Sequence, residues 1–205
     1  MKHICPNRKD GILISQKKYA RNLVKKFGLD SKKHASTPMS SSTKFSLDSS
    51  GVEVSPTLYR SIIGSWLSLT TSRLDIVVSV GVCARYQATP KESHLTAVKR
   101  IICYINGTPE YGLWYSKDSI DCLSDYLDAD WARSVDDWKI TSSEWFYLGN
   151  NLVSWMSKKQ NSVSLSTVEA EYIAVGSCCT QLLWMKKLLH DYGIPQETMC
   201  VLWQH

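Results

Sequence analysis

Carboxylates close both ends of one stretch of this 205-residue chain. Tyr126-Leu127-Asp128-Ala129-Asp130-Trp131 stands at one end and Ser166-Thr167-Val168-Glu169-Ala170-Glu171-Tyr172 at the other, with an aromatic-rich segment carrying hairpin signals between them. In extended backbone, residues two apart point the same way, so Asp128 and Asp130 project together from a strand face or from its fraying end. That arrangement suits a hard cation held through oxygen; Asp-Ala-Asp also reads as a polar strand end entering a turn. Ser166-x-x-Glu169 is a capping box, which gives Glu169 a structural task at a helix start. Glu171 has no such task. At about 100° per residue, Val168, Tyr172, Val175, Cys179, Leu182 and Leu183 make one apolar stripe, with Glu171 on its edge and Glu169 further out. A carboxylate at a strand end and another in the first turn of a helix packed on that sheet can converge on divalent metal, and two-metal clusters of this kind steer phosphodiester hydrolysis.

The elements that must position these groups fit an ordinary globular composition, with 43% hydrophobic and 21% charged residues. No secretory leader and no apolar run long enough to span a bilayer stands out, so the protein is expected inside the cell, in cytoplasm or nucleus, with no membrane partner. Seven cysteines are scattered without Cys-x-x-Cys spacing or a Cys/His cluster, which points to reduced thiols and leaves carboxylates as the metal-binding groups. The net charge of +5 is unevenly spread: residues 1–121 carry 18 Lys/Arg against 9 Asp/Glu, and residues 122–205 carry 6 against 10. A basic half beside an acidic half fits a part that grips nucleic acid joined to a part that binds metal; it fits equally well solvated helix faces.

In chain order, residues 4–14 read as a strand or hairpin with a turn at Arg8-Lys9-Asp10-Gly11. Ser15 is expected to cap a helix striped by Tyr19, Leu23, Val24 and Phe27 and stopped by Gly28. Lys17, Lys18, Arg21, Lys25 and Lys26 decorate the rest of that helix, as a phosphate-contacting surface or as a solvated face. The Ser/Thr/Pro-rich stretch 31–57 reads as a linker or long surface connection. Helices are expected at about 57–71, 75–87 and 90–105, the last stopped by Asn106-Gly107, then a strand at Tyr111 to Tyr115. Strands follow at about 122–128, 145–148 and 152–156, with a Gly149-Asn150-Asn151 turn suited to positive φ. A long helix from Thr167 to Tyr192 and a strand from Thr198 to Trp203 close the chain.

These elements carry a resemblance. Asp128-Ala129-Asp130-Trp131-Ala132, Val135-Asp136-Asp137-x-Lys139-x-Thr141-Ser142, Phe146-x-Leu148-Gly149, Leu152-Val153-Ser154-Trp155-x-Ser157-Lys158-Lys159-Gln160 and Leu165-Ser166-Thr167-x-Glu169-Ala170-Glu171-Tyr172 resemble, in order and spacing, the ribonuclease H region of copia-type retrotransposon Pol polyproteins. Upstream, Ile14-Ser15-Gln16-x-Lys18-Tyr19-Ala20, Ser36-Thr37-Pro38-Met39, Tyr59-Arg60-Ser61-Ile62-Ile63-Gly64, Arg73-x-Asp75-Ile76 and Tyr111-Gly112-Leu113-Trp114-Tyr115 resemble the segment between polymerase palm and ribonuclease H. The resemblance implies an α+β or α/β chain: a strand-helix thumb remnant (1–30), a linker (31–57), a helical connection region (58–121) and an incomplete ribonuclease H-like mixed sheet with a long helix (122–205). It implies Mg2+ or Mn2+ held by Asp128 and Glu171 as catalytic ligands, with Asp130 a further candidate. The implied partner is an RNA/DNA hybrid or template-primer duplex.

The chain also departs from the family pattern. Tyr126-Leu127-Asp128-Ala129 imitates the polymerase's Tyr-x-Asp-Asp with alanine in place of the second aspartate, so no polymerase activity is expected. In Cys200-Val201-Leu202-Trp203-Gln204-His205, Gln204 stands where the family's third catalytic aspartate belongs, and the fourth aspartate's region is not reached. The chain thus reads as a truncated piece with little or no cleavage. Asp125, Arg133 and Glu144 occupy places the family usually gives to glycine, Trp138 one it gives to arginine, and Ile140 one it gives to serine. Two further readings stay open: a non-catalytic nucleic-acid-binding module acting through the basic half, and a decayed reading frame without a selected role.

Overall fold

The computed structural model of the chain describes residues 3–4, 10–40, 46–117, 122–130, 141–160, 162 and 166–203. Among them are five α-helices and two sheets, a mixed α/β fold. The chain divides into two compact units, residues 1–7 with 12–113 and residues 8–11 with 114–205.

β1 (His3–Ile4) pairs antiparallel with β2 (Gly11–Ser15), and β3 (Gly112–Ser116) completes a three-stranded sheet in the order β1-β2-β3. The Ile14 carbonyl lies where a Cβ on residue 112 would sit, so this strand must approach its neighbour with glycine. Ser15, expected as a helix cap, is instead buried as the last residue of β2; Gln16 takes the N-cap of α1 (Lys17–Lys26) without a side-chain cap bond. Gly28, at φ 65°, closes α1 as anticipated, with Gly28 N–H donating to Lys25 O and Leu29 N–H to Val24 O.

Pro56 opens α2 (Pro56–Leu69), where Ser55 Oγ accepts from the Leu58 amide at 3.4 Å. The helix expected over 75–87 is shorter, a 3-10 turn at Leu74–Ile76 leading into α3 (Val77–Ala84). Asn106-Gly107 does not stop α4 (Glu92–Gly107), which runs through both residues. Asn106 donates from its side-chain amide to Asp30 O at 3.1 Å, and the carbonyl of Thr108 at the helix end accepts from Arg73 Nη1 at 2.8 Å, so tertiary bonds hold the last turn that local propensity would fray. Leu23, Tyr59, Trp66, Val80, Ile101 and Ile105 are buried in one core built by α1 to α4. Each such burial contributes about 1.5–3 kcal/mol.

The described parts of 31–57 run as a surface connection fastened to α4. The Ala35 amide donates to Cys103 O, and Arg100 reaches Thr37 O at 3.2 Å and Thr37 Oγ1 at 2.9 Å. His94 Nδ1 accepts from the Lys91 amide at 3.0 Å while Nε2 donates to Ser46 O at 2.8 Å, and its ring stacks on Tyr86. The expected breaks at 30 and 57 both fall inside the first unit.

In the second unit β4 (Leu123–Asp130), β5 (Thr141–Leu148) and β6 (Asn151–Lys159) form an antiparallel meander, and β7 (Met199–Trp203) pairs parallel with β4, giving the order β6-β5-β4-β7. Gly149, at φ 59°, turns β5 into β6 through a two-residue loop. All three strands are longer than the sequence suggested. α5 (Thr167–Asp191) crosses from the meander to β7 and ends on Gly193 at φ 77°, where Gly193 N–H donates to His190 O and Ile194 N–H to Leu189 O.

The face that α5 buries is only partly the expected one. Ala174, Cys178, Leu182 and Met185 lie against Leu123, Leu127 and Phe146, and Ala170 is buried as well; of the expected stripe Leu182 and half-buried Val175 pack there, whereas Val168, Tyr172, Cys179 and Leu183 are exposed. Three small side chains in the first half let the helix lie close over the sheet. Val168, Tyr172 and Leu183 are turned outward, Tyr172 to 71% exposure.

Candidate functional site

Asp128 and Asp130 lie in the last three residues of β4, opposite Ser143 and Thr141 of β5, with Ala129 opposite Ser142. The side chains of Asp128, Ala129 and Asp130 lie outside the described part of the structure, as do residues 131–140 and Gln204. Glu171, in the second turn of α5, is half-buried, and Glu169 is exposed, as their places on the helix suggested. Ser166 caps α5, its Oγ accepting from the Glu169 amide at 3.1 Å.

Gln160 ties the two acidic ends together. Its Nε2 donates to Ser142 Oγ at 2.8 Å and to Ala170 O at 2.8 Å. Ser142 is the cross-strand partner of Ala129, and Ala170 precedes Glu171, so one buried amide links the Asp-Ala-Asp end of the strand to the Glu-Ala-Glu turn of the helix. Parallel pairing of Leu127 with Trp203 brings β7 to the same end of the sheet. Among the described side chains no group of three or more His, Cys, Asp or Glu gathers as a metal site; Glu169 and Glu171 are the described carboxylates in the first turns of α5. A set made of carboxylate oxygens alone fits Mg2+ or Mn2+ in chemistry.

A second acidic group lies beneath α5, and the sequence had marked it only as a departure from family glycines. Asp125 of β4 and Glu144 of β5 are 0% and 1% exposed. Cys178 Sγ donates to Asp125 Oδ2 at 2.5 Å, while Asp125 Oδ1 and both Glu144 oxygens have no hydrogen-bond partner. Burial pushes the Asp125 carboxyl up, against the Cys178 hydrogen bond that favours its charged form. Burial, with the charge of Asp125 adding to it, pushes Glu144 up to about 7. Burial and then the Asp125 hydrogen bond push the Cys178 thiol up as well. Alternation along β4 and β5 would have placed both acids on the buried face, had Leu123, Leu127 and Phe146 been taken as the marker of that face. A cleft of about 170 Å³ adjoins Glu144, lined also by Ser142, Lys158, Gln160, Ile173 and Ser177 among others.

On the basic helix, two of the five expected cations are already engaged. Lys17 Nζ and Arg21 Nη2 meet Glu110 Oε1 at 2.6 and 3.1 Å. Lys26 lies over the Phe27 ring with its ammonium 5.4 Å from the centroid. Lys18, Arg21, Lys25 and Lys26 are exposed and Lys17 is half-exposed. No helix among the described residues is long and apolar enough to cross a membrane.

Among curated proteins, the chain is 39% identical over 184 residues to the retrovirus-related Pol polyprotein from transposon RE1 of Arabidopsis thaliana, covering 90% of this chain and 13% of that protein. It is 37% identical over 184 residues to the corresponding polyprotein from transposon RE2 of the same plant, with the same coverage. It is 33% identical over 196 residues to that from transposon TNT 1-94 of Nicotiana tabacum, covering 92% of this chain and 15% of that protein. The chain therefore spans only about an eighth of the length of these relatives. No family model matches it, and no solved structure matches it.

Proposed function

Because the chain belongs to the family of retrovirus-related Pol polyproteins from copia-type transposons, we propose that it is the connection and ribonuclease H-like portion of such a polyprotein, binding RNA/DNA hybrid with little or no cleavage of it. The observation that carries this reading is the Gln160 bridge, which sets the Asp128 end of β4 beside the Glu171 turn of α5. A mixed sheet, in which an antiparallel meander is extended by a parallel strand across a long helix, supports the ribonuclease H-like part of the reading.

In this reading Asp128 and Glu171, with Asp130 as a further candidate, hold Mg2+ or Mn2+, which when bound supplies charge neutralisation at a scissile phosphate. Gln160 keeps the first turns of the helix at the strand end, and exposed Lys18, Lys25 and Lys26 neutralise phosphates of the duplex. Gln204 brings no charge where the family has aspartate. Weak cleavage is the expectation from that substitution.

The test incubates the purified chain with end-labelled RNA/DNA hybrid and Mg2+ or Mn2+ beside Asp128→Asn. An intact RNA strand, with hybrid retained in a gel shift, is the expected result. Cleavage lost in the variant would overturn the silent part of the reading, and absence of any hybrid complex would overturn the binding part.

A further inference from the structure

Two buried carboxylic acids on adjacent strands, directly under a helix, are a costly arrangement unless something neutralises them. Asp125 and Glu144 lie on one face of the sheet: Glu144 stands opposite Leu127, two residues from Asp125, and Asp125 stands opposite Phe146. Of their four oxygens, three have no hydrogen-bond partner. The donors near the pair are few, the Cys178 thiol and the Trp145 and Tyr126 backbone toward Asp125 and the Ser177 hydroxyl toward Glu144, and an ionised carboxylate so poorly supplied is disfavoured out of water, more so with a second one nearby. The oxygens are also sealed from solvent, although Glu144 borders the cleft, which leaves the proton as the neutralising partner that needs no opening to hold.

We propose that Asp125 and Glu144 form a proton-controlled seat for α5, in which protonation lets the helix lie closed on the sheet and deprotonation of both acids loosens its first half. The groups facing the pair bear this out. From α5 come the Cys178 thiol, already donating to Asp125, and the Ser177 hydroxyl, toward Glu144. From β6 come Lys158 and Lys159 along the cleft; β7 offers uncharged Val201 opposite Asp125. The Cys178 thiol, itself held neutral, cannot compensate a second negative charge. The small residues Ala170, Ala174 and Cys178, which bring the helix close, are the ones that would part from the sheet. Because α5 also carries Glu171, the seat sets how firmly that residue is held at the end of β4. The inference stands on the buried pair and does not depend on the functional reading above.

The sign follows from linkage. Glu144 keeps its proton in the folded chain up to about 7, against an ordinary 4.5, so the folded state binds more protons in between and stability falls as pH rises through that window, levelling off above it. The experiment follows urea unfolding of the full chain from pH 5 to pH 8.5. The wild-type midpoint is expected to drop across the window and flatten above about pH 7.5. Glu144→Gln, neutral at every pH, should remove most of the drop and exceed wild type at pH 8; a variant profile superimposed on wild type overturns the proposal. Should Glu144→Gln fail to fold, hydrogen exchange of the wild-type chain decides. Protection at Ala174 and Cys178 should fall about tenfold more than at Ile101 between pH 5.5 and 7.5, and an equal change at all three positions contradicts the seat.

Discussion

Arg73 is the residue whose surroundings most fully determine what it must be. It is 2% exposed, with Nε and Nη2 donating to Asp75 Oδ1 and Oδ2 at 2.9 and 2.7 Å, and with Nη1 and Nη2 reaching Thr108 O and Thr108 Oγ1 at 2.8 and 2.7 Å. Its guanidinium also lies 5.7 and 5.4 Å from the Tyr104 and Tyr111 ring centroids. Removing it strands a partly buried carboxylate and the end of α4 together, so Arg73→Ala should cost about 3–5 kcal/mol and lower the urea midpoint of the first unit. Arg73→Lys keeps the charge but loses the planar fork, and should recover less than half of that loss. The Arg73-x-Asp75 pairing was visible in the sequence only as a motif. Its reason needs Thr108, thirty-five residues away. Asp125 and Glu144 were visible in another sense, as charged residues in places usually held by glycine, but nothing local says that both are sealed under a helix.

At the scale of elements, the glycine turns and stops read well, whereas Ser15 as a cap, Asn106-Gly107 as a stop and the buried face of α5 read less well. Gly28, Gly149 and Gly193 each take the positive φ that their positions required, because a backbone conformation that L-residues avoid is a local demand. Gly193 has no atom within contact of an added Cβ, so Gly193→Ala should cost only the left-handed backbone penalty, about 1–2 kcal/mol, seen as a small drop in thermal midpoint. The buried face of α5 was judged correctly at Leu182 and Val175 but missed in the first half of the helix, where large apolar residues were weighted although the sheet beneath takes small ones. Ala170, Ala174 and Cys178 form a close-approach ridge with little hydrophobic weight, and that is why periodicity passed over it. Gln160 was legible as part of a motif, yet its task is tertiary. Gln160→Ala should leave Ala170 O and Ser142 Oγ short of a donor, cost about 1–3 kcal/mol, and raise exchange at the first turns of α5 more than at its last turn.

At the scale of the whole molecule, the charge asymmetry between the two halves outlived the packing, but its components changed. Glu110 draws Lys17 and Arg21 into a surface cluster, and pairs so exposed contribute little stability. Lys18, Lys25 and Lys26 thus carry more of any phosphate contact than Lys17 does. Neutralising those three should reduce the salt slope of hybrid binding by about 2–3, whereas Lys17→Gln alone should reduce it by less than one. The stretch 31–57 shows what composition hides. Its Ser/Thr/Pro content reads as a linker or a long surface connection without choosing between them; backbone and side-chain bonds to α4 fasten its described parts as the latter, and such bonds leave no trace in hydropathy.

The measurement closest to the central claim, that Asp128 and Glu171 form a metal-dependent hybrid site without effective cleavage, is hybrid binding by fluorescence anisotropy with and without Mn2+, reading the RNA strand on a gel afterwards. Wild type should bind several-fold more tightly with Mn2+ and leave the RNA intact, and Asp128→Asn and Glu171→Gln should each lose the Mn2+ gain while keeping the metal-free binding. Equal Mn2+ gain in both variants, or RNA cut by wild type and spared by Asp128→Asn, would contradict the account.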